Sequence, residues 1–148
     1  MFKRILFPTD GSEISRRASD VAIELARKLG VGVVAFHSIP PFSIPISDGM
    51  YGYVPSYTED EYFKACKEAA AEVLKEVERD AKKAGVPFSS SVVTAPAPWQ
   101  AIIEAAKDND CDLIVMASHG RKGMAGVLLG SEATKVLTHS KVPVMVCR

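Results

Sequence analysis

Hydrophobic and polar positions along the chain alternate between two periods, and the alternation itself predicts an architecture. "KRILFPT" is a short apolar run stopped by proline. "SEISRRASDVAIELARKLG" then places Ile14, Ala18, Val21, Ala22, Leu25, Ala26 and Leu29 at helical spacing, with Gly30 as the stop. "VGVVAFHS" is almost continuously apolar and too short for a helix, which predicts a buried strand. Four prolines and two glycines in "PPFSIPISDGMYGYVPS" forbid regular structure and mark a long loop over residues 40–56. Thr58 and Glu61 stand in capping-box spacing at the head of the longest helix. Its predicted inner face carries Phe63, Cys66, Ala70, Val73, Leu74, Val77, Ala81 and Ala84, and Gly85 ends it.

The second half continues the pattern. "PFSSSVVT" is strand-like but only half apolar, as a sheet edge would be. "PWQAIIEAAKDND" predicts a helix with Pro98 near its first turn, and "CDLIVMAS" a central strand. A further helix is predicted from Ser131 to His139, and "VPVMVC" forms the last strand. Strands that alternate with helices predict a parallel sheet covered on both faces, a three-layer α/β/α domain spanning 1–148.

Composition narrows the partners. With 18 basic against 18 acidic residues in 148, no net field draws the chain to nucleic acid or to an anionic membrane. Pro8 and Asp10 interrupt the N-terminus too early for a signal-peptide core, so a soluble, cytoplasmic protein is expected. Cys66, Cys111 and Cys147 lie in apolar stretches without ligand spacing and read as reduced core thiols.

In a sheet of this kind ligands bind beyond the carboxyl ends of the strands, where the winding reverses. Pro8-Thr9-Asp10 ends the first strand and Ala117-Ser118-His119-Gly120 the fourth; if those strands are neighbours, both loops meet there. Gly120, Gly123 and Gly126 permit close backbone approach, and Gly130-Ser131 leaves the next helix open at its N-terminus. Ser131 could cap that helix or donate to a phosphate oxygen, and the amides of Glu132 and Ala133 point outward. Spacing alone allows two readings: an anion cradle, or a tight turn into a capped helix. It is neither a Walker A loop, since no lysine follows the last glycine, nor the dinucleotide fingerprint.

"KRILFPTDGSEIS", "FHS", "DLIVMASHGRKG" and "LLGSEATKVLTHSKVPVMVCR" together resemble the universal stress protein family along the whole chain. Its nucleotide-binding members carry a glycine, two residues, a glycine, nine residues, then Gly-Ser or Gly-Thr. Here that reads Ala117-Ser118-His119-Gly120, nine residues, Gly130-Ser131. The resemblance implies an adenine nucleotide alpha hydrolase-like fold with strand order 3-2-1-4-5, and ATP, ADP or AMP across the first and fourth strand ends. Carried over, the adenine side comprises Pro8, Thr9, Asp10 and Ser38 with Met116 beneath. The phosphate side takes Gly120, Gly130, Ser131 and Glu132, with Arg121 and Lys122 as loop cations and Ala117, His119 and Gly123 alongside. Mg2+ would accompany the phosphates, and Asp10 would reach ribose or a metal-associated water.

Three departures stand out. Ala117 replaces the first glycine, harmless only if its φ stays negative. Glu132 puts a carboxylate one residue into the helix, where it could compete with phosphate for the positive end. Pro96 stands where the family has glycine and bears on that turn alone.

Other chemistry fits less well. Asp10 could serve as a phosphoryl acceptor, but receivers need a further aspartate after the third strand, which ends Val93-Thr94-Ala95. Haloacid dehalogenase-like phosphatases need one where Ser12 stands. Turn capping is the simpler role for Asp10. His119 is either a phosphate donor or a solvated loop residue, His37 a satisfied core residue, and His139 a residue that interacts favourably with the helix terminus and needs no further role. Tyr51, Tyr53 and Tyr57 could cover a nucleotide or face a partner. The terminal strand, Val142 to Cys147, would be a bare edge, which predicts a two-fold homodimer through it. Three functions follow in order: a nucleotide-responsive regulatory module with an unidentified protein partner, a ligand-free stress interaction protein, and a slow ATP hydrolase.

Overall fold

The structure is a computed structural model and describes residues 1–43, 57–120 and 129–148. Its elements run β1 (Arg4–Pro8), α1 (Glu13–Leu29), β2 (Gly32–Ile39), α2 (Glu59–Lys83), β3 (Phe88–Thr94), α3 (Pro98–Asp108), β4 (Leu113–Ala117), α4 (Ser131–His139) and β5 (Val144–Cys147). The strands form one five-stranded sheet in the order β3-β2-β1-β4-β5, and every neighbouring pair is parallel.

Continuous apolar strands arise because both faces are covered. Ile5 and Phe7 of β1 point into a core with Ala18, Ala22 and Ala26 of α1 and Leu74, Val77 and Ala81 of α2. Leu6, between them, points the other way, into a core with Ile102 and Ala105 of α3 and Val136 of α4. The period-two alternation of a strand thus divides one run of residues between two layers of helices. β4 is buried at all five positions, as its composition demanded. β3 is mostly exposed, as befits an edge.

Helix ends follow local chemistry. Ser12 caps α1 through Ser15 N–H, and Gly30 closes it at φ 67°. Thr58 and Glu61 complete a reciprocal capping box at α2. The predicted faces need correction in part. Val21 and Leu29 of α1 are 42% and 36% exposed, while Ser15 and Ser19 are buried. The buried face is centred on Ala18, Ala22, Ile23 and Ala26, with Ile14 and Leu25 packed at its margin, so it is rotated from the predicted stripe toward Ser15, Ser19 and Ile23. On α2, Phe63, Cys66, Val73 and Ala84 are only half-buried. Of the cysteines, Cys111 alone is a core thiol, its pKa pushed up to about 11 by burial. Cys66 and Cys147 are half-buried.

No helix among the described residues is long and apolar enough to cross a membrane.

Candidate functional site

The winding reverses between β1 and β4, which lie side by side with Ile5 opposite Leu113 and Leu6 opposite Ile114. Their carboxyl ends therefore open into the same crevice. The meeting is close. A Cβ built on Gly120 would stand 2.5 Å from Asp10 Oδ2, so only glycine fits there without moving the carboxylate.

Thr9 is locked inward. Its N–H donates to Phe36 O at 2.9 Å and extends the β1–β2 ladder past Pro8. His37 Nδ1 lies 2.9 Å from Thr9 O, and because a carbonyl only accepts, that nitrogen carries the proton. The Thr9 hydroxyl is shared between Ser15 Oγ at 2.7 Å and Gly11 N–H at 3.2 Å. Thr9 thus shapes the turn rather than offering its hydroxyl to a ligand. His37 is the satisfied residue its position suggested, and it fixes the turn that presents Asp10. Asp10 Oδ1 accepts from Ser12 N–H at 2.9 Å, which is the turn-capping role.

Ser118, which motif spacing did not single out, joins three elements. Its N–H donates to Cys147 O at the end of β5, and its carbonyl accepts from Gly130 N–H, each at 2.7 Å. Chain leaving β4 is therefore stitched to the residue that opens α4. A Cβ at Gly130 would come within 3.1 Å of His119 Cα, so this return is also a close backbone approach. These are main-chain bonds, and nothing in a residue pattern announces them. His119 Nδ1 lies 3.1 Å from Ser118 Oγ.

Among the described residues, no side chain caps α4. Gly130 is its N-cap, which corrects the expectation that Ser131 could cap it; Ser131 is the first helical residue and exposed. The first amides of α4 keep the partial positive charge of a helix N-terminus. Glu132 does not sit on them. Its Oε2 accepts from Trp99 N–H at 2.9 Å and its Oε1 lies 3.1 Å from Lys135 Nζ. The expected competition with an anion is thus diverted to another helix. Ala117 is not among the residues at positive φ, so its methyl is accommodated.

On the adenine side, Pro8 pairs in register with Phe36, and Met116 is buried in the α3–α4 core. Ser38 Oγ is buried with no hydrogen-bond partner among the described residues. Arg121 and Gly123, with Lys122 and Gly126, lie outside the described residues, as do Tyr51 and Tyr53. Tyr57 is described: its ring centroid lies 6.2 Å from those of Phe42 and Tyr62, so both approaches to the long loop share one aromatic cluster.

A doubly wound α/β domain is thus defined by geometry, with a helix entrance at its switch point that no side chain among the described residues caps. The model of the universal stress protein family matches residues 1–148. Universal stress protein MJ0531 of Methanocaldococcus jannaschii is 31% identical over 150 residues, covering 100% of this chain and 83% of that one. The solved structure of protein MJ0577 superposes with a TM-score of 0.81 at 25% identity, covering 99% of this chain and 96% of the other. A universal stress protein solved in complex with cAMP gives 0.72 at 29% identity, over 99% and 97% of the two chains. The chain belongs to the universal stress protein family.

Proposed function

We propose that this chain binds an adenine nucleotide, ATP foremost, across the carboxyl ends of β1 and β4, and acts in the cytoplasm as a nucleotide-responsive stress module. The observation that carries the reading is the α4 entrance, where Gly130 is the N-cap, no side chain among the described residues caps the first amides, and Glu132 is engaged elsewhere. Ser38 adds support: a buried hydroxyl without a partner costs free energy that a ligand's polar edge would relieve. The cAMP complex of a relative at 29% identity supports the adenine chemistry. Phosphate oxygens would meet the amides of Ser131, Glu132 and Ala133, with Gly120 and His119 beside them and Arg121 and Gly123 in the connecting loop. Pro8, Asp10 and Ser38 would border the nucleoside over Met116, with Thr9 shaping the turn and Ala117 closing β4.

No three His, Cys, Asp or Glu side chains among the described residues form a metal cage. Mg2+ would arrive on the phosphates, keeping most of its water, with Asp10 reaching it through one of them. Two copies would pair through β5, the end strand of the sheet, where Met145 is 40% exposed.

Calorimetry of nucleotide-stripped protein with Mg-ATP tests the binding, with Ser131→Pro as control. Proline is suited to a first helical position, and Gly130 already has the extended backbone (φ −71°, ψ 160°) that proline requires before it. The variant removes one N–H with little strain. Saturable heat that weakens about tenfold or more in the variant is the expected result. No heat from the unsubstituted protein would refute nucleotide binding and leave an interaction module without ligand.

A further inference from the structure

Trp99 is the only tryptophan of the chain, and α4 holds it at two points. Glu132 accepts its backbone N–H at 2.9 Å. Seven residues on, the His139 ring lies over the indole with centroids 4.7 Å apart and planes at 32°. Positions seven apart share one helix face about 10 Å along the axis, so α4 lies along Trp99 with its start on the backbone and its end on the ring.

Glu132 thereby does for α3 what α3 lacks. Ala97, the N-cap of α3, supplies no side-chain hydrogen bond, and Pro98 brings no N–H. A carboxylate from another helix satisfies the next donor and sits at the positive end of α3. The same carboxylate stands one residue inside α4, where its own helix would otherwise attract it. Reach decides which end it serves: the side chain spans to Trp99 and pairs with Lys135 on the way.

We propose that Glu132 is a positioning residue of the nucleotide site, holding its charge on the N-terminus of α3 so that the amides of α4 stay open to phosphate, and thereby coupling occupancy of α4 to Trp99. This rests on the nucleotide reading above. Glutamine can still accept from Trp99 N–H but carries no charge. Aspartate keeps the charge and is one methylene too short for the reach, so it falls back on its own helix.

The test pairs calorimetry with Trp99 emission during titration of stripped protein by Mg-ATP and, separately, by adenosine. In the unsubstituted protein the emission should change with the midpoint of the ATP isotherm. Glu132→Gln, whose side-chain oxygen still accepts from Trp99 N–H, should keep the emission response at the midpoint of its own ATP isotherm. Glu132→Asp should lose most of the response and bind ATP about tenfold more weakly, with adenosine binding altered less than twofold. A general loss of packing would weaken ATP and adenosine alike. Heat of ATP binding with constant emission, or equal losses for both ligands in Glu132→Asp, would overturn the coupling and leave nucleotide binding intact. No heat from ATP in the unsubstituted protein would overturn both.

Discussion

Gly120 rests against the carboxylate of Asp10, so close that a methyl group at 120 would lie 2.5 Å from Oδ2. Two loops separated by more than a hundred residues thereby meet at the carboxyl ends of β1 and β4. Gly120→Ala is expected to turn the Asp10 carboxylate aside and lower stability by no more than about 1 kcal/mol, since the atom it meets is the end of a rotatable side chain. Asp10→Ala in the same chain should recover at least half of that loss. Urea melts of the two single variants and the double give the coupling directly, and a coupling near zero would mean the loops are not held by this contact.

Exposure on α1 departs from the apolar stripe at Val21 and Leu29, and stability should follow exposure. Ala22, fully buried against the sheet, has no room for growth, so Ala22→Leu should cost about 1–3 kcal/mol. Val21, next to it and 42% exposed, should accept alanine within about 0.5 kcal/mol. Denaturant midpoints of the two variants check this.

Asp112 anchors the start of β1. The Lys3 N–H first, and the Arg4 N–H after it, hold its carboxyl below the usual 3.8, against the opposing effect of burial. A folded-state pKa below the unfolded one adds stability that is present above the unfolded value and is lost as pH falls through the folded one. Asp112→Asn should therefore be less stable than the unsubstituted chain at neutral pH, and the gap should narrow as pH falls past the ordinary 3.8 and through the lower folded value. Melts at neutral and acid pH follow this; a gap that widens on acidification would reverse the sign.

The proposed pairing through β5 makes a concentration-dependent prediction. Met145→Lys puts charge on the exposed edge, so sedimentation should show a dimer for the unsubstituted chain and a monomer for the variant. A monomer in both cases would remove the dimer.

Much of the fold was legible because strands buried on both faces leave continuous apolar runs and because caps are local. Gly30, the Thr58–Glu61 pair and the Ser131–His139 helix needed only neighbouring residues, and the structure places them as read. On α1 the stripe was legible at Ile14, Ala18, Ala22, Leu25 and Ala26, while Val21 and Leu29 fall outside the contact and Ser15, Ser19 and Ile23 inside it, since a helical stripe says which residues are apolar and not where the contact is centred. Ser118 was missed because its role is played by main-chain atoms. Glu132 was visible as an acid at a helix entrance, but its partner Trp99 lies 33 positions away in sequence, and only tertiary packing shows which helix the carboxylate serves.

The most direct measurement follows backbone amide resonances of isotope-labelled, nucleotide-stripped protein during titration with Mg-ATP. Saturable shifts at Ser131, Glu132 and Ala133, together with Ser38 and with little change at Lys3 and Arg4, are the predicted result. Saturable binding that leaves the three α4 amides unmoved would place the phosphates elsewhere, and no saturable shift at any residue would contradict nucleotide binding itself.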